Sequence, residues 1–503
     1  MDFERRSSGV LLHLTSLPGR HGSGDLGRHA HEFIDFCNRA SLTWWQMLPV
    51  GPIGPAPGFS PYSSGSTRAG EPMLIDLESL RKLDLLTRAE LTPPASFRDD
   101  RVLYPLVQPW RAARLRSAFA RLPQASAKLR REFEAFSKQQ SRWLDDFALF
   151  SAMKRRQRNR PWWKWDRRIA RRDPSALREA SATLRDEADF HRFCQFLFFR
   201  QWKQLRTEAR ARGVGLIGDL PIFVAHDSVE VWTSPHLFEL DRNGMPRRLS
   251  GYPPDVFSPR GQMWGHPQYD WRAIEREGFA WWIERFSALF ALFDAVRIDH
   301  FLGFDRVWSI PAHKADPRRG RWVDTPGPAL FTAVREKLGV RPIIAEDLGR
   351  LTARAAALRD RLELPGMRVM MFGIGVGGGS EYHRPHDWPP RSVAYTGTHD
   401  NDTVVGYYRA LDADSRRRIL EFYNARSDRE LPDAMLRALY ASPARTVIAP
   451  LQDMLGLDGS ARMNVPSTTR GNWTWRVGKH RPTAALARRL ARLADLYDRR
   501  PNH

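Results

Sequence analysis

The chain has 503 residues, 42% hydrophobic and 27% charged, enough apolar material for a large core and too polar on average for a membrane protein. Small scaffolds and fibrous repeats are excluded, and a soluble globular protein is expected. The formal charge of +22 is the unusual number, because such a balance often accompanies polyanion binding.

The start, MDFERRSSGVLLHLTS, lacks the apolar stretch of an export signal, and no apolar run reaches membrane-spanning length. Two cysteines, Cys37 and Cys194, neither in a CxxC pair, provide no disulfide framework and no zinc-ligand spacing. A cytoplasmic protein is therefore expected, with no membrane association.

In chain order, eight short apolar runs end in small or polar residues: GVLLHL (9–14), WWQMLPV (44–50), VGLIGDLPIFV (214–224), FDAVRIDH (293–300), RPIIAEDLG (341–349), MRVMMF (367–372), SVAYTGTHD (392–400) and TVIAPLQ (446–452). Helix-like stretches follow them. Eight such runs in series predict an α/β chain folded as a (β/α)8 TIM barrel. About 160 residues separate the second and third runs, far more than one crossover helix needs. The spacing predicts one catalytic barrel over 1–503, with a mainly helical insertion over 51–205 beside the barrel mouth. The insertion opens on the loop-like GPIGPAPGFSPYSSGS (51–66) and becomes helical from about residue 110. A second stretch, 242–271, is rich in Gly, Pro and aromatics and reads as an active-site loop.

Barrel active sites form at the carboxyl ends of the strands, and four acids stand there: Asp219, Asp299, Glu346 and Asp400. One such acid alone most often N-caps the next helix. Four together, with Arg297 and His300 beside Asp299 and His399 beside Asp400, favour chemistry. Strand alternation turns Arg297 and Asp299 to the same side, so the guanidinium holds Asp299 ionised as a nucleophile. Glu346 follows the apolar run IIA, where partial burial keeps a carboxyl protonated. One charged and one neutral carboxyl are what retaining glycoside chemistry requires.

AVRIDHFLGF, IIAEDLG and YTGTHDNDT resemble the nucleophile, acid/base and third-carboxylate segments of the α-amylase clan. GDLPIFVAHDSVEVW, PPDVFSPRGQMWGHPQYDW, GFSPYSSGS and RMNVPSTTRGNWTWR narrow the resemblance to the amylomaltases, the 4-α-glucanotransferases of glycoside hydrolase family 77. It covers nearly the whole chain. The resemblance implies Asp299 as nucleophile, Glu346 as general acid/base and Asp400 as the carboxylate that stabilises the transition state. It implies Asp219, Arg297, His300 and His399 as sugar binders, Tyr62 as a donor-sugar platform and Trp264 as an acceptor-side cover. Ser60, Asp255, Gln262 and Asn464 fall in matching motifs. No metal or organic cofactor is implied, and the partners are maltooligosaccharides and other α-1,4-glucans. The chain departs from the family pattern at Leu302, where arginine is common, and in the glycine-rich stretch 373–379, where an aspartate is usual.

Two rival readings remain on sequence: a hydrolase of the same clan, and a basic polyanion-binding protein on a decayed barrel. The second rests on SAMKRRQRNRPWWKWDRR (151–168), where basic residues alternate with tryptophans. Scattered charge without a recognition motif is weak support, so specific nucleic-acid binding is not expected, and the charge is read as a property of the outer surface.

Overall fold

The computed structural model describes residues 3–54, 58–254, 258–349, 351–374 and 380–501. Twelve strands among them are numbered here in chain order. Eight close into a parallel barrel: β1 (Ser7–Leu11), β2 (Trp44–Gln46), β3 (Gly215–Leu220), β6 (Ala295–Ile298), β9 (Ile343–Ala345), β10 (Gly366–Val369), β11 (Ser392–Tyr395) and β12 (Thr446–Pro450). Each of the eight apolar runs contains one of them or overlaps it, so the chain is the (β/α)8 barrel its sequence predicts. Every residue of these strands is buried. That is why they read as continuous apolar runs rather than as alternating patterns. Pairing of β1 with β12, from Ser7 opposite Thr446 to Leu11 opposite Pro450, closes the ring.

The segment between β2 and β3 is dominated by helices, the longest being Ala127–Arg156 and Arg185–Ala211. The first starts at Ser126, whose side chain accepts the Leu129 N–H as an N-cap. The two helices pack through aromatic rings three residues apart: Phe133 and Phe136 on one meet Phe193, Phe196 and Phe199 on the other. The second helix also serves as the crossover into β3, and its Trp202 donates an indole N–H to the Leu292 carbonyl at 2.9 Å. Insertion and barrel therefore share one core.

The remaining strands, β4 (Arg248–Tyr252), β5 (Gln262–Pro267), β7 (Arg306–Pro311) and β8 (Arg321–Asp324), form an antiparallel sheet in the order β5-β4-β7-β8. They belong to the connections that leave the carboxyl ends of β3 and β6. The 242–271 stretch thus carries two paired strands where its composition reads as loop. Gly251 marks the register shift between β4 and β5, and a side chain there would overlap the Gln262 carbonyl. Alternation fails as a signal because the strands are short and interrupted.

The positive charge is not confined to the surface. Arg111, Arg285, Arg297, Arg368, Arg476 and Arg499 are buried. Most of them donate to main-chain carbonyls: Arg499 reaches those of Ser7, Tyr440, Ser442, Ala444 and Arg445, tying the end of the chain beneath β1 and β12. A guanidinium has five donors in a fixed fork, so one side chain satisfies several carbonyls that would otherwise be buried without partners. Burial pushes Arg499 down to about 9. Composition alone cannot separate such arginines from solvated ones.

Gly218 of β3 lies under the Phe293 ring, and a Cβ there would overlap it. Because Phe293 is itself buried against Trp202, Gly218→Ala is expected to lower stability by ~1–3 kcal/mol in chemical denaturation. An unchanged midpoint would show that the ring has room to move.

Candidate active site

The register of the barrel assembles the centre. Asp219 on β3 stands opposite Arg297 on β6, and Arg297 stands opposite Ile344 on β9, two residues before Glu346. Arg297 Nη1 donates to both Asp219 oxygens at 2.9 and 2.8 Å. Its Nη2 lies 3.0 Å from Asp299 Oδ1 and 3.9 Å from Glu346 Oε2. Both carboxyls therefore approach the same guanidinium nitrogen. The guanidinium that the sequence assigns to Asp299 is shared, and its two-pronged contact goes to Asp219.

None of the four acids caps a helix. The helices after β3, β9 and β11 are capped by Ser228, Thr352 and Thr403, and the turn after Asp299 starts at His300 without a side-chain cap. His300 adopts a left-handed backbone, φ 53°, and its N–H donates to Glu346 Oε2 at 2.7 Å. Glu346 Oε1 accepts the Leu348 N–H at 2.8 Å. Burial pushes Glu346 up to about 7; Arg297 opposes the shift and Asp299 reinforces it. Burial likewise raises Asp219 against the pull of Arg297. The side chain of Asp219 is fully covered, whereas those of Asp299 and Asp400 are 30% and 46% exposed and reach solvent.

Above this centre lies a cleft of about 290 Å³. Ser60, Tyr62, Gln262, Trp264, Asp299, His399, Asp400 and Asn464 all line it. Tyr62 donates its hydroxyl hydrogen to Asp219 at 2.7 Å, sits 2.8 Å from His399 Nε2, and stacks on the imidazole at 5.2 Å. Ser60 accepts the Tyr62 N–H and so fixes the turn that presents the ring. Asn464 donates to Asp400 Oδ1 at 2.6 Å, and His399 lies 3.4 Å from Oδ2. Trp264 is held by Gln262 Oε1 at 3.1 Å and meets His300 edge-on at 4.8 Å. Asp255 lies outside the described residues, as does 375–379 of the glycine-rich stretch. Leu302 is buried in the turn Phe301–Phe304, and a side chain at Gly373 would overlap the His383 carbonyl.

Trp473 and Arg462 escape the sequence reading. Trp473 lines the cleft 5.7 Å from the Tyr62 ring, and Arg462 donates to the Asp400 carbonyl at 2.8 Å. Both sit in the RMNVPSTTRGNWTWR block, where the left-handed Trp473 follows the equally left-handed Gly471 by two residues. The sequence singles out the block and its Asn464, which does meet Asp400, but not Trp473 or Arg462. Of the three tryptophans in the basic 151–168 stretch, Trp162 and Trp165 are buried and only Trp163 is half-exposed. Trp163 is therefore the one tryptophan of that stretch whose ring reaches solvent.

A closed parallel barrel with two carboxyls paired at its mouth on one guanidinium has the arrangement of enzymes that act on glycosidic bonds. The chain belongs to the 4-alpha-glucanotransferase family of glycoside hydrolase family 77, whose model matches residues 12–480. It is 43% identical over 502 residues to a 4-alpha-glucanotransferase of Thermus thermophilus, covering 98% of this chain and 99% of that one. It is 40% identical over 503 residues to one of Synechocystis, covering 99% of each. The structure superposes on amylomaltase from Streptococcus agalactiae, solved in complex with acarbose, with TM-score 0.95 and 36% identity over 98% of this chain and 100% of that one. Among the described residues, no helix is long and apolar enough to cross a membrane.

Replacing Arg297 by Met leaves Asp219 buried beside no cation. Arg297→Met is expected to cost ~3–5 kcal/mol in urea denaturation, and adding Asp219→Asn to recover a large part of it. Additive losses would show that the pair is not the coupled unit.

Proposed function

We propose that this chain is a 4-alpha-glucanotransferase that moves α-1,4-glucan segments between maltooligosaccharides by double displacement, with Asp299 as nucleophile and Glu346 as acid/base. The observation that supports the roles is the convergence of both carboxyls on Arg297, with burial pushing Glu346 up to about 7.

In the first step an Asp299 oxygen bonds to the anomeric carbon, the glycosidic C–O bond breaks, and the Glu346 proton passes to the departing 4-oxygen. In the second, ionised Glu346 takes the proton of an acceptor 4-hydroxyl, whose oxygen bonds the same carbon as the Asp299 ester breaks. Two inversions give net retention. Asp400, oriented by Asn464 and His399, accepts hydroxyl hydrogens of the reacting sugar. Tyr62, Trp473 and Trp264 supply apolar ring surface around the cleft, which favours a sugar acceptor over water. The competing outcome, hydrolysis, uses the same acids and differs only in the acceptor. A cytoplasmic setting suits the two free, buried thiols.

With maltotriose, the wild-type chain is expected to give glucose plus a ladder of longer oligosaccharides, and Asp299→Asn to lose at least ~10³-fold in rate. Shorter products alone would establish a hydrolase, and near-normal transfer by the variant would remove Asp299 from the chemistry. The proton on Glu346 is lost as pH rises through about 7. The kcat/KM for disproportionation should therefore fall on the alkaline side with an apparent pKa near that value. A profile flat to pH 9 would assign the acid to another group.

A further inference from the structure

A second cavity, of about 740 Å³, lies between the Trp162–Ala170 stretch of the insertion and the Pro235–Arg247 stretch after β3, and it shares no lining residue with the catalytic cleft. Its size falls inside the ~300–1,000 Å³ range of ligand sites. One wall is a rigid aromatic stack. The half-exposed Trp163 ring lies 3.8 Å from the His226 imidazole, tilted by only 12°. His226 is fixed through Nε2 to the Gly244 carbonyl at 2.7 Å, and Trp162 donates to the His226 carbonyl at 2.7 Å. Trp162 and Trp165 have thus spent their indole N–H groups on main-chain carbonyls, Trp165 on that of Arg160 at 2.9 Å. The Trp163 N–H has no partner among the described residues.

The opposite wall is polar. Glu239 is half-buried, and its carboxylate makes no hydrogen bond or ion pair to another described residue. The same holds for the exposed guanidiniums of Arg242 and Arg247, and for that of Arg167 on the aromatic side. Three kinds of ligand can be compared against these groups. An apolar ligand would leave Glu239 and the arginines without partners. A phosphate or sulfate chain would meet Glu239, Asp241 and Asp270, which line the same cavity. A chain of neutral sugars fits all of it, because each hydroxyl both donates to carboxylates and accepts from guanidiniums, and a sugar's C–H face lies flat on an indole.

We propose that this cavity, with Trp163 and Glu239 as its anchors, is a second binding site for a segment of α-glucan chain, separate from the catalytic cleft. The choice of α-glucan over another neutral polysaccharide rests on the transfer reading above. A site that holds a long chain away from the reacting bond raises the local concentration of chain ends without touching the chemistry. It therefore matters for polymers and not for trisaccharides.

The test is electrophoresis of the full chain through native gels containing glycogen, alongside disproportionation of maltotriose. Trp163→Ala and Glu239→Gln are each expected to weaken glycogen binding by about fivefold or more, while maltotriose turnover stays within about twofold of wild type. Unchanged retardation overturns the proposal. So does a matching fall in maltotriose turnover, which would make the cavity part of the catalytic cleft. Loss of heparin retention with glycogen binding intact would make it an anion site instead. If Trp163→Ala fails to fold, Glu239→Gln and the exposed pair Arg242→Ala/Arg247→Ala decide the matter. A wild type inert on maltotriose would overturn the transfer reading, and glycogen retardation would still decide the cavity.

Discussion

The barrel mouth is organised by one buried cation. Removing a guanidinium from water costs several kcal/mol, and close acceptors must offset that cost, which for Arg297 are carboxylates. Arg297 finds them on its own strand and on both neighbours: Asp219 on β3, Asp299 just past β6, Glu346 just past β9. Without it, three carboxyls would face one another at the mouth with no opposite charge between them. With it, one positive charge is shared unequally. Asp219 takes two close contacts and Asp299 one, while Glu346 stands at 3.9 Å and depends on two main-chain N–H groups. Glu346 is thus the acid of the set with the weakest hold on the cation, and burial leaves it near the pKa that acid/base work at neutral pH requires.

Everything around that cation serves to hold the second ring of groups in place. Tyr62 comes from the start of the insertion, His399 and Asp400 follow β11, and Asn464 and Trp473 come from the C-terminal loops. They meet because Tyr62 bonds Asp219 and His399 at once and because Asn464 clamps Asp400. The hydrogen bonds of this ring span up to 337 positions in sequence. Loops this far apart stay aligned only while the barrel beneath them stays closed.

Much of this is legible in the sequence. The strands announced themselves because burial on both faces demands apolar side chains, and the acids stood out because they interrupt such runs at their ends. The paired strands β4 and β5 did not show, since Gly251 and the short lengths break the alternation that marks a half-buried strand. The buried arginines did not show either, because a guanidinium satisfying carbonyls has the same letter as one in solvent. Trp473 lay within a block already singled out, yet nothing in the block distinguished it from Trp475.

The kind of barrel and the inventory of its chemistry are written in the order of residues, since periodicity and residue type are local properties of the chain. The pairings come from the closed fold: Arg297 grips Asp219 more closely than Asp299, the His300 N–H meets Glu346, and Tyr62 joins β3 to the loop after β11. Those depend on strand register and on one left-handed residue, and both are set by closing the barrel as a whole. No stretch of sequence contains both partners closely enough to specify them.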